Sequence, residues 1–277
     1  MKRACVIGWP IEHSRSPLIH GYWLKKYGIE GDYTKLAVPP DDVEKFLRSL
    51  AVNGLAGCNV TVPHKEAAFA IADVKDPSAI AVGAANTIWR DGDKIACANT
   101  DTYGFMTHLT REAPLWLKRD RPVAILGAGG AARAIAYGFL EAGVSEIHVY
   151  NRSRDRAAEL AAHFGYRVKA EDWAAFETSR APYSVVVNTT TLGMKAASDV
   201  SLSLDHLPAD CVVADIVYVP LETGLLRRAS ARGLQTVDGL GMLLHQAVPG
   251  FEKWFGVKPE VTAELRALIE ADIRDAS

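Results

Sequence analysis

One short glycine-rich segment constrains the fold of this chain more than any other part of its sequence. The residues GAGGAA, from Gly127 to Ala132, follow the apolar run VAIL and open a stretch with helical spacing. In this context glycines permit a tight strand-to-helix turn and let backbone amides approach a pyrophosphate, which the start of the helix then faces. The segment therefore predicts a doubly wound parallel sheet of the Rossmann type that binds a dinucleotide.

The strands that follow this turn indicate which dinucleotide to expect. EIHVYNRS, SVVVNTT, VVADIVY and QTVDG are short and almost continuously apolar, as in sheets buried on both faces. The first of them ends in Asn151-Arg152-Ser153, with Arg154 and Arg156 behind, where NAD-binding units usually carry an acidic residue for the ribose hydroxyls. Guanidinium groups pair well with phosphate, so we expect NADP. A solvated basic turn is the plainer interpretation of the same residues.

The N-terminal region shows a second alternation of strands and helices. ACVIG, DYTKLAV and GCNVTV read as strands with helical segments between them, and NTIWRDGDKIACANT predicts a hairpin that turns at Asp91-Gly92. This alternation implies a largely parallel, mixed sheet. Two amphipathic helices follow residue 240. The pattern predicts two α/β domains, one formed by residues 1–101 plus 239–277 and the other by residues 102–238.

Composition excludes several classes of partner. The 277 residues include 31 basic and 33 acidic side chains, and the net charge of −2 gives no general attraction to nucleic acid or to acidic membranes. We find no signal-peptide core, no apolar run of membrane-spanning length and no histidine or cysteine spacing typical of a metal site. The four cysteines are scattered, which fits a reduced, cytoplasmic protein. The sequence leaves open whether the protein is a monomer or a homodimer.

The segment HSRSP places two serine hydroxyls at the start of a predicted helix. Ser16 is a candidate N-cap, with Pro17 at the first helical position. The same hydroxyls, with free amides and the positive end of the helix dipole, also suit a carboxylate ligand. Both roles are compatible, because Ser16 can cap the helix while Ser14 and Ser16 donate to a ligand.

The segment NVTVPHK brings an amide, a hydroxyl and a lysine together within seven residues. We expect Pro63 to open a helix, so that Lys65 lies near its positive end. This placement suits a proton donor, particularly if a carboxylate holds the lysine in position. Asp101 is the candidate carboxylate; its alternative role is the N-cap of a helix that starts near Thr102.

Eight motifs, taken together, resemble those of one enzyme family. HSRSP, NVTVPHK, GAANT, NTD, GAGGAARA, NRS, DIVYVPLET and GLGMLLHQ occur in the order found in shikimate dehydrogenases, and the resemblance extends from residue 5 to about residue 250. It implies an α/β enzyme whose substrate lies between a substrate domain and an NADP domain. It also implies the reversible reduction of 3-dehydroshikimate to shikimate by NADPH, in the shikimate pathway of aromatic amino acid biosynthesis.

The resemblance assigns roles to residues that match the family's motifs. It implies Lys65 and Asp101 as the catalytic pair, and Ser14 and Ser16 as the ligands of the substrate carboxylate. Around the ring and its hydroxyls it places Asn59, Thr61, Asn86, Asp101, Tyr218 and Gln246. Along the cofactor it places Gly127, Ala128, Gly129, Gly130, Ala131, Asn151, Arg152, Ser153, Arg156, Ile216 and Gly239. It implies no metal.

Two positions depart from the family pattern, and two other functions stay open. Trp9 stands where the family usually has asparagine, and NTTTLGM replaces the commoner NATSxG, so that Thr189 adds a hydroxyl near the expected nicotinamide. Both changes leave the substrate preference open. The first alternative is a quinate/shikimate dehydrogenase that uses NAD. The second is a non-catalytic, nucleotide-dependent regulator on the same fold, which the presence of Lys65 and Asp101 disfavours.

Overall fold

The computed structural model describes residues 1–118, 120–194 and 199–275, and this part of the chain forms two compact units. The first unit comprises Met1–Gly104 and the chain from Leu244 onward, and the second comprises Phe105–Leu243. The helices that begin at Asp101 and at Gly239 contain the two boundaries. Each boundary therefore lies a few residues inside a helix.

The first unit contains a mixed sheet. Its elements are β1 (Lys2–Gly8), α1 (Ser16–Lys26), β2 (Gly31–Ala37), α2 (Val43–Arg48), β3 (Gly57–Val60), α3 (Lys65–Ile71), β4 (Val74–Lys75), α4 (Pro77–Val82), β5 (Thr87–Asp91) and β6 (Lys94–Ala98). The strand order is β2-β1-β3-β5-β6-β4. β1 pairs in parallel with β2 and β3, whereas β5 is antiparallel to β3 and β6.

The predicted hairpin is confirmed, but it turns one residue later than expected. Asp91 still pairs with Lys94, so Gly92 and Asp93 form the loop. Gly92 has a φ of 62°, which glycine adopts without steric cost. The hairpin returns the chain to the edge of the sheet at which β3 ends.

The starts of two helices differ from the sequence prediction: α1 begins one residue earlier and α3 begins two residues later. Ser16 is the first residue of α1 rather than its N-cap, since the carbonyl of Arg15 already accepts from Leu18 and Ile19. Pro63 does not open α3; it lies in a turn in which the His64 amide donates to the Thr61 carbonyl over 3.0 Å. Lys65 is therefore the first residue of α3.

The second unit contains a parallel sheet. Its elements are α5 (Asp101–Glu112), β7 (Val123–Leu126), α6 (Gly130–Glu141), β8 (Ile147–Asn151), α7 (Arg154–Phe164), β9 (Val168–Asp172), β10 (Val185–Asn188), β11 (Val212–Asp215), α8 (Gly224–Ala231), β12 (Gln235–Val237) and the start of α9 (Gly239–Phe255). α9 ends in the first unit, which also holds α10 (Ala263–Asp275). The strand order β9-β8-β7-β10-β11-β12 is the Rossmann order.

Both faces of this second sheet are buried, as the apolar strands predicted. Along β7, Val123 and Ile125 pack into one hydrophobic cluster, while Ala124 and Leu126 pack into another. The same alternation occurs in β10 and β11. The doubly wound α/β fold expected from the glycine-rich turn is confirmed. Among the described residues, no helix is both long and apolar enough to cross a membrane.

Candidate active site

One edge of the first sheet collects most of the polar residues that the sequence singled out. β1, β3 and β6 end at this edge, because they run in the same direction, and the antiparallel β5 begins there. Asn59 of β3 lies opposite Thr87 of β5, which in turn lies opposite Ala98 of β6. Ser14 lies in the loop that follows β1, and Lys65 and Asp101 are the first residues of α3 and α5, the helices that follow β3 and β6.

Lys65 and Asp101 form an ion pair at this edge. The Lys65 Nζ lies 2.7 Å from Asp101 Oδ2, and the two side chains are 31% and 15% exposed. The other carboxylate oxygen, Oδ1, accepts from Asn86 Nδ2 over 2.8 Å. Both oxygens of Asp101 are therefore held by side chains of the site, so the ion pair outweighs the alternative role in helix capping.

The amide of Asn86 has a fixed orientation. Its Oδ1 accepts from the backbone amide of Thr100 over 2.8 Å and from the Thr100 hydroxyl over 3.0 Å. A backbone amide can only donate, so the oxygen of Asn86 must face Thr100 and its nitrogen must face Asp101. The network thus presents an N–H donor to the carboxylate that holds Lys65.

Asn59 is buried next to Asn86, and both the nitrogen and the oxygen of its side-chain amide form hydrogen bonds within the protein. Its Nδ2 donates to the Asn86 carbonyl over 3.2 Å and to the Thr87 hydroxyl over 3.3 Å, and its Oδ1 accepts from the Tyr33 hydroxyl over 2.6 Å. His20 stacks on Tyr33 with ring centroids 4.0 Å apart. Burial lowers the pKa of His20 to about 3, although Asn59 opposes the shift. His20 is therefore neutral near pH 7.

The two serines lie at the beginning of α1. Ser14 Oγ accepts from the Ser16 amide over 3.4 Å, while the Ser16 side chain is buried next to Tyr33. Ser14 also lines a cavity of about 360 Å³, whose other charged or titratable lining residues are the basic His13, Arg15 and Lys35 and the acidic Glu12 and Asp272. Arg15 is ion-paired with Asp272 over 2.8 Å. This end of the helix offers hydroxyls, amides and positive charge to an anion.

The remaining predicted substrate residues fall in different parts of the chain. Thr61 is half-buried and directly follows β3, and its amide donates to the Ile7 carbonyl over 2.9 Å. Gln246 lies on α9 within the first unit. Tyr218 follows β11 and belongs to the second unit, where it is half-buried.

In the second unit, the glycine-rich turn has the geometry of a phosphate cradle. Gly127 has a φ of 110°, and a Cβ there would lie 2.7 Å from the Thr189 hydroxyl, so only glycine fits. A Cβ on Gly129 or Gly130 would meet no atom within 4 Å. Ala128 and Ala131 complete the turn, and the first amides of α6 lack helical acceptors. The turn therefore leaves space and donors for a pyrophosphate.

The loop after β8 and the first turn of α7 carry the basic residues expected at the adenosine end. Arg152, Ser153 and Arg156 are exposed, and Asn151 Nδ2 donates to the Ser153 carbonyl over 2.8 Å. Arg154 is ion-paired with Asp172 over 3.1 Å. Across the described ranges neither Arg152 nor Arg156 has a carboxylate partner. The exposed cations available to a phosphate are therefore Arg152 and Arg156.

Four further residues lie at or just after the ends of β10, β11 and β12. A Cβ on Gly239 would lie 2.3 Å from the Ile216 carbonyl oxygen, so Gly239 lets two backbone segments approach closely. The Thr189 hydroxyl donates to the Leu126 carbonyl over 2.8 Å, which ties it to the strand end instead of leaving its proton for a ligand. Asp215 is buried and accepts from Asn188, Val217 and Thr223, while burial raises its pKa to about 6.

Sequence reasoning missed several residues that shape these sites. Thr87 and Thr100 were part of the motifs GAANT and NTD but received no role, and Tyr33 and Asp215 were not considered as site residues. The motif strings contained the two threonines and also Asp215, the first residue of DIVYVPLET, whereas Tyr33 lay outside all of them. No cluster of three or more metal-ligating side chains occurs among the described residues.

Comparisons with known proteins agree with this architecture. Three family models match: the shikimate dehydrogenase substrate binding domain at residues 6–88, shikimate/quinate 5-dehydrogenase at residues 115–196 and the shikimate 5'-dehydrogenase C-terminal domain at residues 239–269. The first covers the sheet edge with Ser14, Asn59 and Lys65, and the second covers the glycine-rich turn.

Individual relatives extend the likeness over almost the whole chain. Shikimate dehydrogenase (NADP(+)) from Azorhizobium caulinodans is 54% identical, covering 99% of this chain and 97% of that protein. Shikimate 5-dehydrogenase from Thermus thermophilus, solved in complex with NADP(H) and shikimate, is 34% identical with a TM-score of 0.84, covering 100% of both chains. Quinate dehydrogenase from Corynebacterium glutamicum, in complex with NAD, is 30% identical with a TM-score of 0.88, covering 98% and 99%. This chain belongs to the shikimate dehydrogenase family.

Proposed function

We propose that this chain is an NADP-dependent oxidoreductase that interconverts 3-dehydroshikimate and shikimate. The observation that carries the proposal is the Lys65–Asp101 pair, 2.7 Å apart and backed by Asn86, at the same sheet edge as the serine pair. A ketone that becomes an alcohol needs one proton donor next to several short polar groups. Relatives that are 51–54% identical carry the name NADP-dependent shikimate dehydrogenase.

Each side chain of the first unit has a part in this chemistry. The Lys65 ammonium donates a proton to the oxygen of the substrate ketone, and Asp101 orients that ammonium and accepts from an adjacent substrate hydroxyl. Ser14 and Ser16 donate to the substrate carboxylate, with the start of α1 favouring the negative charge. Asn59, Thr61, Asn86 and Gln246 of the same unit surround the ring and its hydroxyls.

The second unit suits NADP. When bound, NADPH supplies the hydride that reduces the ketone. The open space at Gly129 and Gly130 and the free amides of α6 fit a pyrophosphate, and the exposed Arg152 and Arg156 fit the additional phosphate of NADP. Asn151 and Ser153 lie beside those arginines, and Ile216 and Gly239 are further proposed contacts along the cofactor.

These roles also give each domain a function. Residues 1–101 plus 239–277 form the substrate domain, and residues 102–238 form the NADP domain. The family model for substrate binding falls at residues 6–88, which supports the first assignment. The four cysteines are buried and free, which supports a reducing compartment, the cytoplasm.

One assay tests the proposal. We expect the protein to reduce NADP with shikimate as substrate, with a kcat/KM well above the values for quinate and for NAD. Equal or higher rates with quinate and NAD would favour the second candidate, a quinate/shikimate dehydrogenase. The specific observation in favour of that candidate is the fold match to a quinate dehydrogenase in complex with NAD. No oxidation of either substrate would refute both and leave the non-catalytic regulator.

A further inference from the structure

Beneath the ion pair, the structure contains a buried hydroxyl that no part of the proposed mechanism uses. The Thr87 side chain is 1% exposed and lies at the first residue of β5, between β3 and β6. Its Oγ1 is within hydrogen-bonding distance of Asn59 Nδ2 at 3.3 Å, Asn86 Oδ1 at 3.0 Å and Thr100 Oγ1 at 3.1 Å. One hydroxyl thus links three residues that come from separate segments.

The direction of these hydrogen bonds follows from the groups that cannot change roles. The Asn86 carbonyl can only accept, so the nitrogen of Asn59 faces it and the oxygen of Asn59 faces Tyr33. The second N–H of Asn59 then donates to Thr87. Because this N–H occupies a lone pair of Thr87, the Thr87 proton points towards Asn86 Oδ1 or Thr100 Oγ1. The network therefore has a single direction, from Tyr33 to Asn86.

The far end of the same network is the catalytic pair. Asn86 Oδ1 accepts from the amide and the hydroxyl of Thr100 and is within reach of the Thr87 proton. Asn86 Nδ2 donates to Asp101, which holds Lys65. If the oxygen side of the Asn86 amide loses a donor, the nitrogen side is less firmly directed at Asp101. Buried, mutually polarising hydrogen bonds of this kind fix geometry more strongly than exposed ones do.

We propose that Thr87 is a positioning residue for the reaction: through Asn86 it holds Asp101 and Lys65 in the arrangement that proton transfer needs. This inference rests on the proposed function. Thr87 does not act on the substrate itself. Its hydroxyl, rather than its methyl group, carries the effect, and misplacement of a catalytic group by as little as 1 Å costs up to about 10²-fold in rate.

Two substitutions at the same position separate positioning from packing. Thr87→Val keeps the shape and removes the hydroxyl, whereas Thr87→Ser keeps the hydroxyl and removes a methyl group. We expect Thr87→Val to lower kcat/KM for shikimate about tenfold, mostly through kcat, and to leave the KM for NADP within about twofold. Thr87→Ser should stay within about threefold of wild type, even where its Tm falls as far as that of Thr87→Val.

A third variant controls for stability. Thr262 bonds to Tyr22 over 3.2 Å and to the Leu265 amide over 3.4 Å in the C-terminal part of the first unit, away from the ion pair. Thr262→Val should lower Tm without lowering kcat. If kcat follows Tm across the Thr87→Val, Thr87→Ser and Thr262→Val variants, or if Thr87→Val has the kcat of wild type, the proposal is wrong.

A fourth variant decides the question if Thr87→Val does not fold. Tyr33→Phe removes the first donor of the network and leaves Thr87 intact. A fall of about threefold or more in kcat, at a Tm no lower than that of Thr262→Val, supports the positioning network, and an unchanged kcat overturns it. A wild-type protein that does not oxidise shikimate would refute the proposed function instead, so the two failures are distinguishable.

Discussion

The two sheet edges that carry the proposed sites differ in the chemical groups that they present. In the first unit, side chains form the proposed catalytic group: Lys65, Asp101 and Asn86 are joined by hydrogen bonds of 2.7 and 2.8 Å. In the second unit, the corresponding edge offers backbone amides at a glycine-rich turn and the exposed side chains of Arg152 and Arg156. Both edges follow the ends of parallel strands, where functional groups of α/β proteins usually collect.

The difference reflects what each edge has to recognise. Proton transfer depends on the position of one atom, so its donor needs neighbours that fix it. Phosphate groups carry charge on several equivalent oxygens, and amides or guanidinium groups satisfy them from a range of positions. We therefore expect single substitutions to cost most in the first unit and to have graded, salt-dependent effects in the second.

The largest effect is expected from Lys65→Ala. Loss of a general acid typically costs about 10²- to 10⁴-fold, so kcat should fall at least about 10²-fold, while the affinity for shikimate changes much less. The fold should survive, because the Lys65 side chain is 31% exposed and does not belong to the core. Steady-state kinetics and a thermal melt measure the two expectations.

A second lysine of the same unit provides the control. Lys75 donates to the Ala72 carbonyl over 3.0 Å and is also half-buried, but it lies outside the ion pair. Lys75→Ala should keep nearly normal turnover. Near-normal turnover in Lys65→Ala would exclude Lys65 as the acid and would remove the contrast between the two edges.

Buried titratable groups extend the comparison to stability. Burial lowers the pKa of His20, in the first unit, from 6.5 to about 3. The unfolded chain therefore takes up a proton that the folded state refuses, and stability is lost as the pH falls from about 6.5 to about 3. At 1.36 kcal/mol per pKa unit, the loss is of the order of 5 kcal/mol.

Asp215, in the second unit, has the opposite dependence. Burial raises its pKa from 3.8 to about 6, so the folded state binds the proton more tightly and stability is lost as the pH rises from about 4 to about 6. The loss is of the order of 3 kcal/mol. The protection of backbone amides from hydrogen exchange should be measured between pH 4 and 6.5. On acidification it should decrease in the first unit and increase in the second.

Non-titrating variants isolate the two groups. His20→Gln should flatten the acid-side loss in the first unit, and Asp215→Asn should flatten the change in the second. Each substitution should leave the pH dependence of the other unit unchanged. If wild type and His20→Gln have parallel pH profiles, then other groups dominate the acid response of that unit.

The serine pair should affect substrate binding instead of turnover. Each hydrogen bond to a charged group is worth about 1.5–3 kcal/mol, so Ser14→Ala/Ser16→Ala should raise the KM for shikimate by about 10²-fold or more. A substrate analogue without the carboxylate should respond little. Equal losses for shikimate and the analogue would instead indicate damage to the start of α1, where Ser14 accepts from the Ser16 amide.

The fold of the second unit could be predicted from the sequence more completely than the side-chain contacts of the first unit. The glycine-rich turn, the apolar strands and the order in which they appear were enough to indicate a Rossmann sheet, because both faces of such strands are buried and the pattern is local. Short elements without a strong pattern were missed, such as β4 (Val74–Lys75) and α4 (Pro77–Val82). Helix starts shifted by one or two residues where a turn intervened, as at Pro63.

The network around Thr87 could not be predicted from the sequence, for a physical reason. Its members come from β2, β3, β5 and the loop after β6, and they meet only because the register places Asn59 opposite Thr87 and Thr87 opposite Ala98. Motif strings identify residue types, but a hydrogen bond needs a register and an amide orientation. The Lys65–Asp101 contact likewise joins residues 36 positions apart.

The last prediction concerns the exposed arginines that follow β8. NADP differs from NAD by a phosphate that carries about −1.5 to −2 charges near neutrality. A charge-assisted pair contributes about 1.5–3 kcal/mol, or on the order of 10- to 150-fold in preference, and salt screens it at an exposed site. Arg152→Ala should lower the NADP preference most and Arg156→Ala somewhat less, with both effects shrinking at high salt.

Arg154 is the matched control, because it lies between Arg152 and Arg156, at the start of α7, and is already paired with Asp172 over 3.1 Å. Arg154→Ala should change the ratio of kcat/KM for NADP and NAD by less than about twofold, because a surface ion pair contributes only about 0–1 kcal/mol. A wild-type preference for NAD would defeat the assignment of this loop. If Arg154→Ala has the largest effect of the three, the phosphate lies near Arg154 and Asp172. Arg152 and Arg156 are then solvated surface residues that do not contact it.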